Sequence, residues 1–229
     1  GKLDLERDIR RRDFSINAMA VSLSSGRLID PAGGAADLAA GTVRMVSRPV
    51  FTADPARLLR AYRVAAQLGF HIAAATAAAI AQDAPHLVRA APERLREEWF
   101  KLLACPGAAA YLAAMAQTGL LPRLFPEMEA LKGCRQPPPH RLDVFDHSLE
   151  TVSRLEGLLQ RPPAGLERHR RAIGPLHQPA CAARLKCAAL LHDVGKPACR
   201  SIDAAGRIHF YGHARLGAQM VAQAGRRLR

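Results

Sequence analysis

From Asp54 to Gly119 apolar positions recur at helical spacing, with short breaks between the runs. Asp54 can cap the first helix, Pro55 suits its first turn, and Gly69 ends it. A second helix is expected over 73–82. A third starts near Pro92 and runs through Trp99 to Leu103, and a fourth holds Tyr111 to Gln117 and stops at Gly119. Such short connections favour antiparallel packing. Residues 1–50 read differently. Ser24-Ser25-Gly26-Arg27 is a turn between Ala20-Val21 and Leu28-Ile29, Ala35 to Ala40 makes a helical turn, and Thr42 to Val46 reads as a strand. Pro137-Pro138-Pro139 punctuates the chain. Beyond it, helices are expected over 144–159, 181–192 and 214–227, with a loop at 161–179 and an extended piece at 207–211. The expected fold is mainly α with a small α/β remnant. It divides into 1–50, the tail of an α/β domain; 51–136, helical; and 137–229, a second helical unit.

Composition adds a partner class. The formal net charge is +13, and 28 of the 33 basic residues are Arg. Phosphates attract that charge and Arg forks onto them, so nucleic acid is the expected partner, although an Arg- and Ala-rich composition yields the same count without function. No apolar run is long enough for a membrane span. Five Cys without a C-x-x-C pair point to reduced thiols and a cytoplasmic protein. The ends, Gly1-Lys2-Leu3-Asp4 and Gly225 to Arg229, both read as cuts in a longer chain.

Three motifs carry chemistry. Arg11-Arg12-Asp13-Phe14-Ser15-Ile16-Asn17-Ala18 sets cations, a carboxylate and an amide beside an apolar stretch. Such a set suits a triphosphate and a ribose hydroxyl; equally, Asp13 caps a short helix and the arginines are solvated. Asp54 to Arg63 places Arg57, Arg60 and Arg63 three apart, on one broad helix face with Asp54 ahead of them. That ladder fits a triphosphate, with an Asp/Arg pair for a base edge, or is the solvated side of an amphipathic helix. Third come Asp146-His147-Ser148, His192-Asp193-Val194-Gly195-Lys196-Pro197 and Gly212-His213. Imidazole and carboxylate together suit a divalent metal acting on a phosphate ester, or are satisfied core residues.

The first two motifs are similar to R-R-D-F-T-x-N-A and E-D-P-x-R-x-L-R-A-x-R-F-A-A-x-L-G-F of the nucleotidyltransferases that add CCA to tRNA, and of the related bacterial poly(A) polymerases. Asp30-Pro31, Gly34 and Asp37-Leu38 follow the family's D-P-x-x-G-x-x-D-L run, and Glu93 to Glu98 resembles its E-R-I-x-x-E helix, read here as structural. Ser15 replaces Thr, Ala53 replaces Glu and Val64 replaces Phe. The third motif resembles the HD phosphohydrolases, whose ligands run H … H-D … D.

The resemblance implies roles. Arg12 would contact nucleotide phosphates, Asp54 and Arg57 would read the base, and Arg60 and Arg63 would contact the nucleotide. His147, His192 and Asp193 would bind a divalent metal, with His213 as an extra ligand, Lys196 near a substrate phosphate and the final Asp beyond Arg229. Residues 1–50 would end the catalytic head domain, 51–136 would bind nucleotide and RNA, and 137–229 would be the HD domain. The activity implied is transfer from CTP and ATP to the tRNA 3′ end, adding CCA or part of it. Mg2+ would be held by an Asp-x-Asp pair that is absent from these 229 residues, so no catalytic residue is assigned in the chain. Poly(A) polymerase, and an HD phosphohydrolase with an RNA-binding region, are the alternatives.

Overall fold

The computed structural model describes residues 5–163, 165, 169 and 174–229, so the expected loop at 161–179 lies partly outside the described residues. The protein is mostly helical. Helix α1 (Leu5–Arg10) leads into a short antiparallel pair, β1 (Ala20–Val21) and β2 (Leu28–Ile29), then α2 (Gly34–Ala39) and β3 (Thr42–Val43). Strand β3 pairs in parallel with β4 (His71–Ile72), which follows α3 (Val50–Ala53) and α4 (Ala56–Leu68). Next come α5 (Ala74–Asp83), α6 (Pro92–Ala104), α7 (Ala108–Gln117) and α8 (Leu120–Leu124). Helices α9 (Val144–Gln160), α10 (Pro179–Leu191) and α11 (His213–Arg227) complete the chain, with hairpin β5 (Ser201–Ile202) and β6 (Ile208–His209) before α11.

Helix α4 positions the arginines. Leu58, Leu59, Ala61 and Tyr62 are fully buried, and Gly69, at φ 69°, closes the helix in the left-handed conformation that glycine adopts at least cost. Each fully buried Leu stabilises by roughly 1.5–3 kcal/mol. Pro55 stands at the N-cap with no side-chain hydrogen bond; the Asp54 carboxylate just ahead of it meets the first-turn N–H of Ala56 but is held mainly by Arg94.

Helix α6 packs against both α4 and α10. At its centre Trp99 is fully buried, edge-on to Phe125 with ring centroids 5.0 Å apart. The apolar core therefore runs unbroken from Phe14 to Ala224, past Pro137.

The Asp30 to Leu38 run acts as a scaffold for the first motif. Both Asp30 oxygens accept backbone N–H bonds, from Gly34 (2.7 Å) and Ala35 (2.9 Å). A Cβ on Gly34 would meet the Ser15 carbonyl oxygen at 2.1 Å, so only glycine admits that approach. Buried Asp37 accepts from Ser15 Oγ at 2.6 Å and from Arg44 in a fork. The Ser15 hydroxyl is thus held by Asp37 across 22 residues of chain.

Candidate nucleotide site and candidate metal centre

A cavity of about 530 Å³ is lined by Arg12, Asp13, Asn17, Arg57, Arg60, Arg63, Val64, Gln67 and Leu68. It unites the first two motifs and four of the five expected nucleotide contacts. The ladder is not a solvated face. Side-chain exposure is 22% for Arg57, 37% for Arg60 and 16% for Arg63. Glu98 of α6 holds two rungs, facing Arg60 Nε at 3.3 Å and accepting from Arg63 Nε at 2.8 Å. Arg60 also meets Asp13 at 3.3 Å, and Arg63 donates to Gln67 Oε1 at 2.5 Å. Arg12 is more exposed and pairs with Asp8 at 3.3 Å. Asp13 is buried and accepts from Phe14 N and Asn17 Nδ2, which fixes Asn17 at the rim.

Asp54 is not among the residues lining the cavity. Arg94 donates to it in a fork, at 2.8 and 2.7 Å, and Arg57 Nε lies 3.5 Å away. Burial works against the ionised form, but Arg94 and Arg57 outweigh it and hold the Asp54 carboxyl below its ordinary value. Arg57 Nε is buried and meets no acceptor at hydrogen-bonding angles. A buried donor without an aligned acceptor is costly, and the ion pair with Asp54 offsets part of that cost. Glu98 and Arg94 belong to the helix read as structural. With Gln67, they are polar residues of this region that the sequence reading left out of the site. Their signal was available only as apolar spacing that turns Glu98 toward α4.

The second constellation lies where α9 and α10 meet. One ligand atom each from His147, His192 and Asp193 falls within 4.8 Å of the others. His192 Nδ1 lies 2.8 Å from the Ala189 carbonyl and Nε2 lies 2.9 Å from Asp193 Oδ2. His147 Nε2 is 3.6 Å from the same oxygen, and His213 Nε2 is 3.7 Å from Oδ1. Gly195 makes this possible: a Cβ there would meet the His213 carbonyl oxygen at 2.3 Å, so its absence lets the start of α11 close on the end of α10.

Electrostatically, Asp193 is the centre. Burial opposes its charge, but His192 and Lys196 bring its pKa down to about 2. His192 is raised, chiefly by its bond to Asp193, whereas burial lowers His147. Lys196 Nζ lies 2.6 Å from Asp193 Oδ2 and donates to Gln136 Oε1 at 2.6 Å. Asp193 Oδ2 is thus a buried anionic oxygen beside imidazoles, the kind of donor a divalent ion takes, in the place that the Lys196 ammonium now holds.

Three stretches of the chain match known family models. Residues 2–44 match the poly A polymerase head domain, 69–132 the probable RNA- and SrmB-binding site of polymerase A, and 144–229 the HD domain. Stretch by stretch, the chain is similar to the tRNA nucleotidyltransferase and poly(A) polymerase family and to HD domains. Among this family's members, the A-adding tRNA nucleotidyltransferase of Deinococcus radiodurans is 38% identical over 96% of this chain and 48% of its own length. The CC-adding tRNA nucleotidyltransferase of Geobacter sulfurreducens is 49% identical over 52% of this chain and 27% of its own. The chain thus spans about half or less of the curated relatives it matches. Among solved structures, a Thermotoga maritima CCA-adding enzyme complexed with tRNA is 31% identical, with a TM-score of 0.56 over 69% of this chain and 37% of that one. A CCA-adding enzyme with CTP is 30% identical, with a TM-score of 0.55 over 74% and 39%. Nucleotidyltransferase and HD domains of this family generally use divalent metals. No helix among the described residues is long and apolar enough to cross a membrane.

Proposed function

We propose that the full-length protein is a cytoplasmic tRNA nucleotidyltransferase that adds CCA, or part of it, from CTP and ATP, with Mg2+ held by carboxylates outside this chain. The observation that carries this reading is the cavity that joins Arg12, Arg57, Arg60 and Arg63 to Asp13 and Asn17. Two of those arginines are pre-aligned by Glu98, so little side-chain freedom is lost on binding phosphates. In this reading Arg12, Arg60 and Arg63 hold the triphosphate. Asp54 and Arg57 present an acceptor and donors to the base, with Arg94 fixing the Asp54 carboxylate. The supporting division is a head-domain end at 1–50, a nucleotide- and RNA-binding region at 51–136 and an HD domain at 137–229.

The RNA part is tested by tRNA binding to the full-length protein. Binding should be through phosphates and shape, so affinity should fall steeply and linearly on a log–log plot of salt. A salt-independent affinity would contradict it.

We infer a second activity in the HD domain. His147, His192 and Asp193 would hold a divalent metal, with His213 as a further ligand. A divalent ion there supplies Lewis acidity and a more acidic water for phosphoester hydrolysis. For Asp193 to ligate, Lys196 must give up the carboxylate and keep Gln136, which leaves its ammonium beside a substrate phosphate. His192→Ala and Asp193→Ala in the full-length protein should lower metal content and phosphoester hydrolysis together while nucleotide addition persists. An unmutated protein that carries no metal in this domain and hydrolyses no phosphoester would show the motif to be structural.

A further inference from the structure

Hairpin β5–β6 ends beside the metal centre, and its side chains alternate. Phe210 turns inward: Lys196 Nζ lies 5.5 Å from its ring centroid, and its carbonyl oxygen lies 2.7 Å from His213 Nδ1. His209 closes β6 and Tyr211 stands in the turn that follows it, and their rings come together on another side. Their rings stack with centroids 5.1 Å apart and planes 10° from parallel. Tyr211 is nonetheless 78% exposed.

This exposed ring is held by a built support. Asp203 Oδ1 accepts from Ala205 N and Arg207 N, both at 2.9 Å, and Oδ2 accepts from Arg207 Nε at 2.8 Å. His209 Nε2 lies 3.0 Å from the same Oδ2. The chain Asp203–His209–Tyr211 fixes the plane of an aromatic whose outer face meets solvent. Tyr211 also stands two residues before His213, so their Cα atoms are at most about 7 Å apart. That separation is comparable to the reach from a nucleotide's phosphate to its base.

We propose that the Tyr211–His209 pair is the base platform of the HD site: a nucleobase stacks on the outer face of Tyr211 while the attached phosphate faces His147, His192 and Asp193. This rests on the metal-centre reading above and adds the substrate feature that the centre selects. Stacking tolerates any base, so the platform distinguishes nucleotide esters from esters without a base.

The test uses the full-length protein with three probes: 2-aminopurine ribonucleoside 3′-monophosphate, a short single-stranded RNA ending in 2-aminopurine, and glycerol phosphate. Stacking quenches 2-aminopurine fluorescence. Quenching by the unmutated protein should persist in Tyr211→Phe and be lost in Tyr211→Ala, with roughly tenfold weaker binding. Glycerol phosphate, which carries no base, reports hydrolysis by the unmutated centre without the platform. Stronger quenching of the RNA than of the monophosphate would identify an RNA end as the source of the base, and the reverse a free nucleotide. Quenching in Tyr211→Ala equal to that of the unmutated protein belongs elsewhere, such as the arginine cavity, and overturns the platform. If glycerol phosphate is hydrolysed but Tyr211→Ala binds both base-bearing probes as the unmutated protein does, the platform falls and the metal-centre reading stands. If neither ester is hydrolysed, the metal-centre reading fails and the platform fails with it.

Discussion

Lys186→Met should destabilise the protein by about 3–5 kcal/mol, the usual cost of leaving one member of a buried ion pair without its partner. Lys186 and Glu156 have side-chain exposures of 4% and 7% and meet at 2.6 Å. Lys186 also donates to the Cys105 carbonyl at 2.8 Å. Glu156 accepts from Ala108 N at 2.9 Å and Ala109 N at 3.0 Å, the first free N–H groups of α7. One ion pair therefore ties α9 and α10 to the end of α6 and the start of α7, and α6 in turn carries Glu98 to the arginines. Glu156→Leu alone should also cost several kcal/mol, because Ala108, Ala109 and Lys186 all lose their acceptor. The double variant Lys186→Met/Glu156→Leu should recover part of the loss, since no charge is then stranded. Urea unfolding measures all three. A loss under about 1 kcal/mol for Lys186→Met would mean that water reaches the pair and that it contributes as a surface pair does.

The second large effect is on nucleotide choice. Asp54→Ala in the full-length protein should blur discrimination between CTP and ATP by about tenfold to a hundredfold, matching the roughly 1–3 kcal/mol of a good hydrogen-bonded base contact. It should lower triphosphate affinity less. Arg60→Ala and Arg63→Ala should do the reverse, weakening binding with little change in preference. Arg94→Ala should resemble Asp54→Ala, because the Arg94 fork sets the direction of the Asp54 oxygens. Measured kcat/KM ratios for the two nucleotides separate these cases. An unchanged ratio in Asp54→Ala would reduce the pair to a structural clasp between α4 and α6.

The helices were legible because their punctuation is local. Pro55 and Gly69 bracket α4, Pro92 opens α6, and Leu58, Leu59 and Tyr62 mark the buried side. The β1–β2 hairpin was legible through its turn residues, but the parallel pairing of β3 with β4 was not, since it joins residues 29 apart. Helices α3 and α8, four and five residues long, carry too few positions for a period to show.

At the sites, the arginine ladder was legible as residues three apart. Whether it was solvated depended on Glu98 and Asp13, which arrive from other elements. The Arg94 partner was hidden for the same reason: Asp54 lies 40 positions away, and the fork between them is a tertiary contact. His147 and His213 had only motif spacing to link them to Asp193; the packing of α9 on α10 brings in the first, and the close approach at Gly195 the second.

Extension of defined tRNA ends by the full-length protein tests the central claim most directly. tRNAs ending before, within and after the CC are supplied with labelled CTP and ATP, and the added nucleotides are sequenced. The account predicts addition of C, A or both in an order set by the end supplied, stopping once the 3′ end is complete. No addition to any of these ends, or an untemplated run of A on every RNA offered, would contradict it.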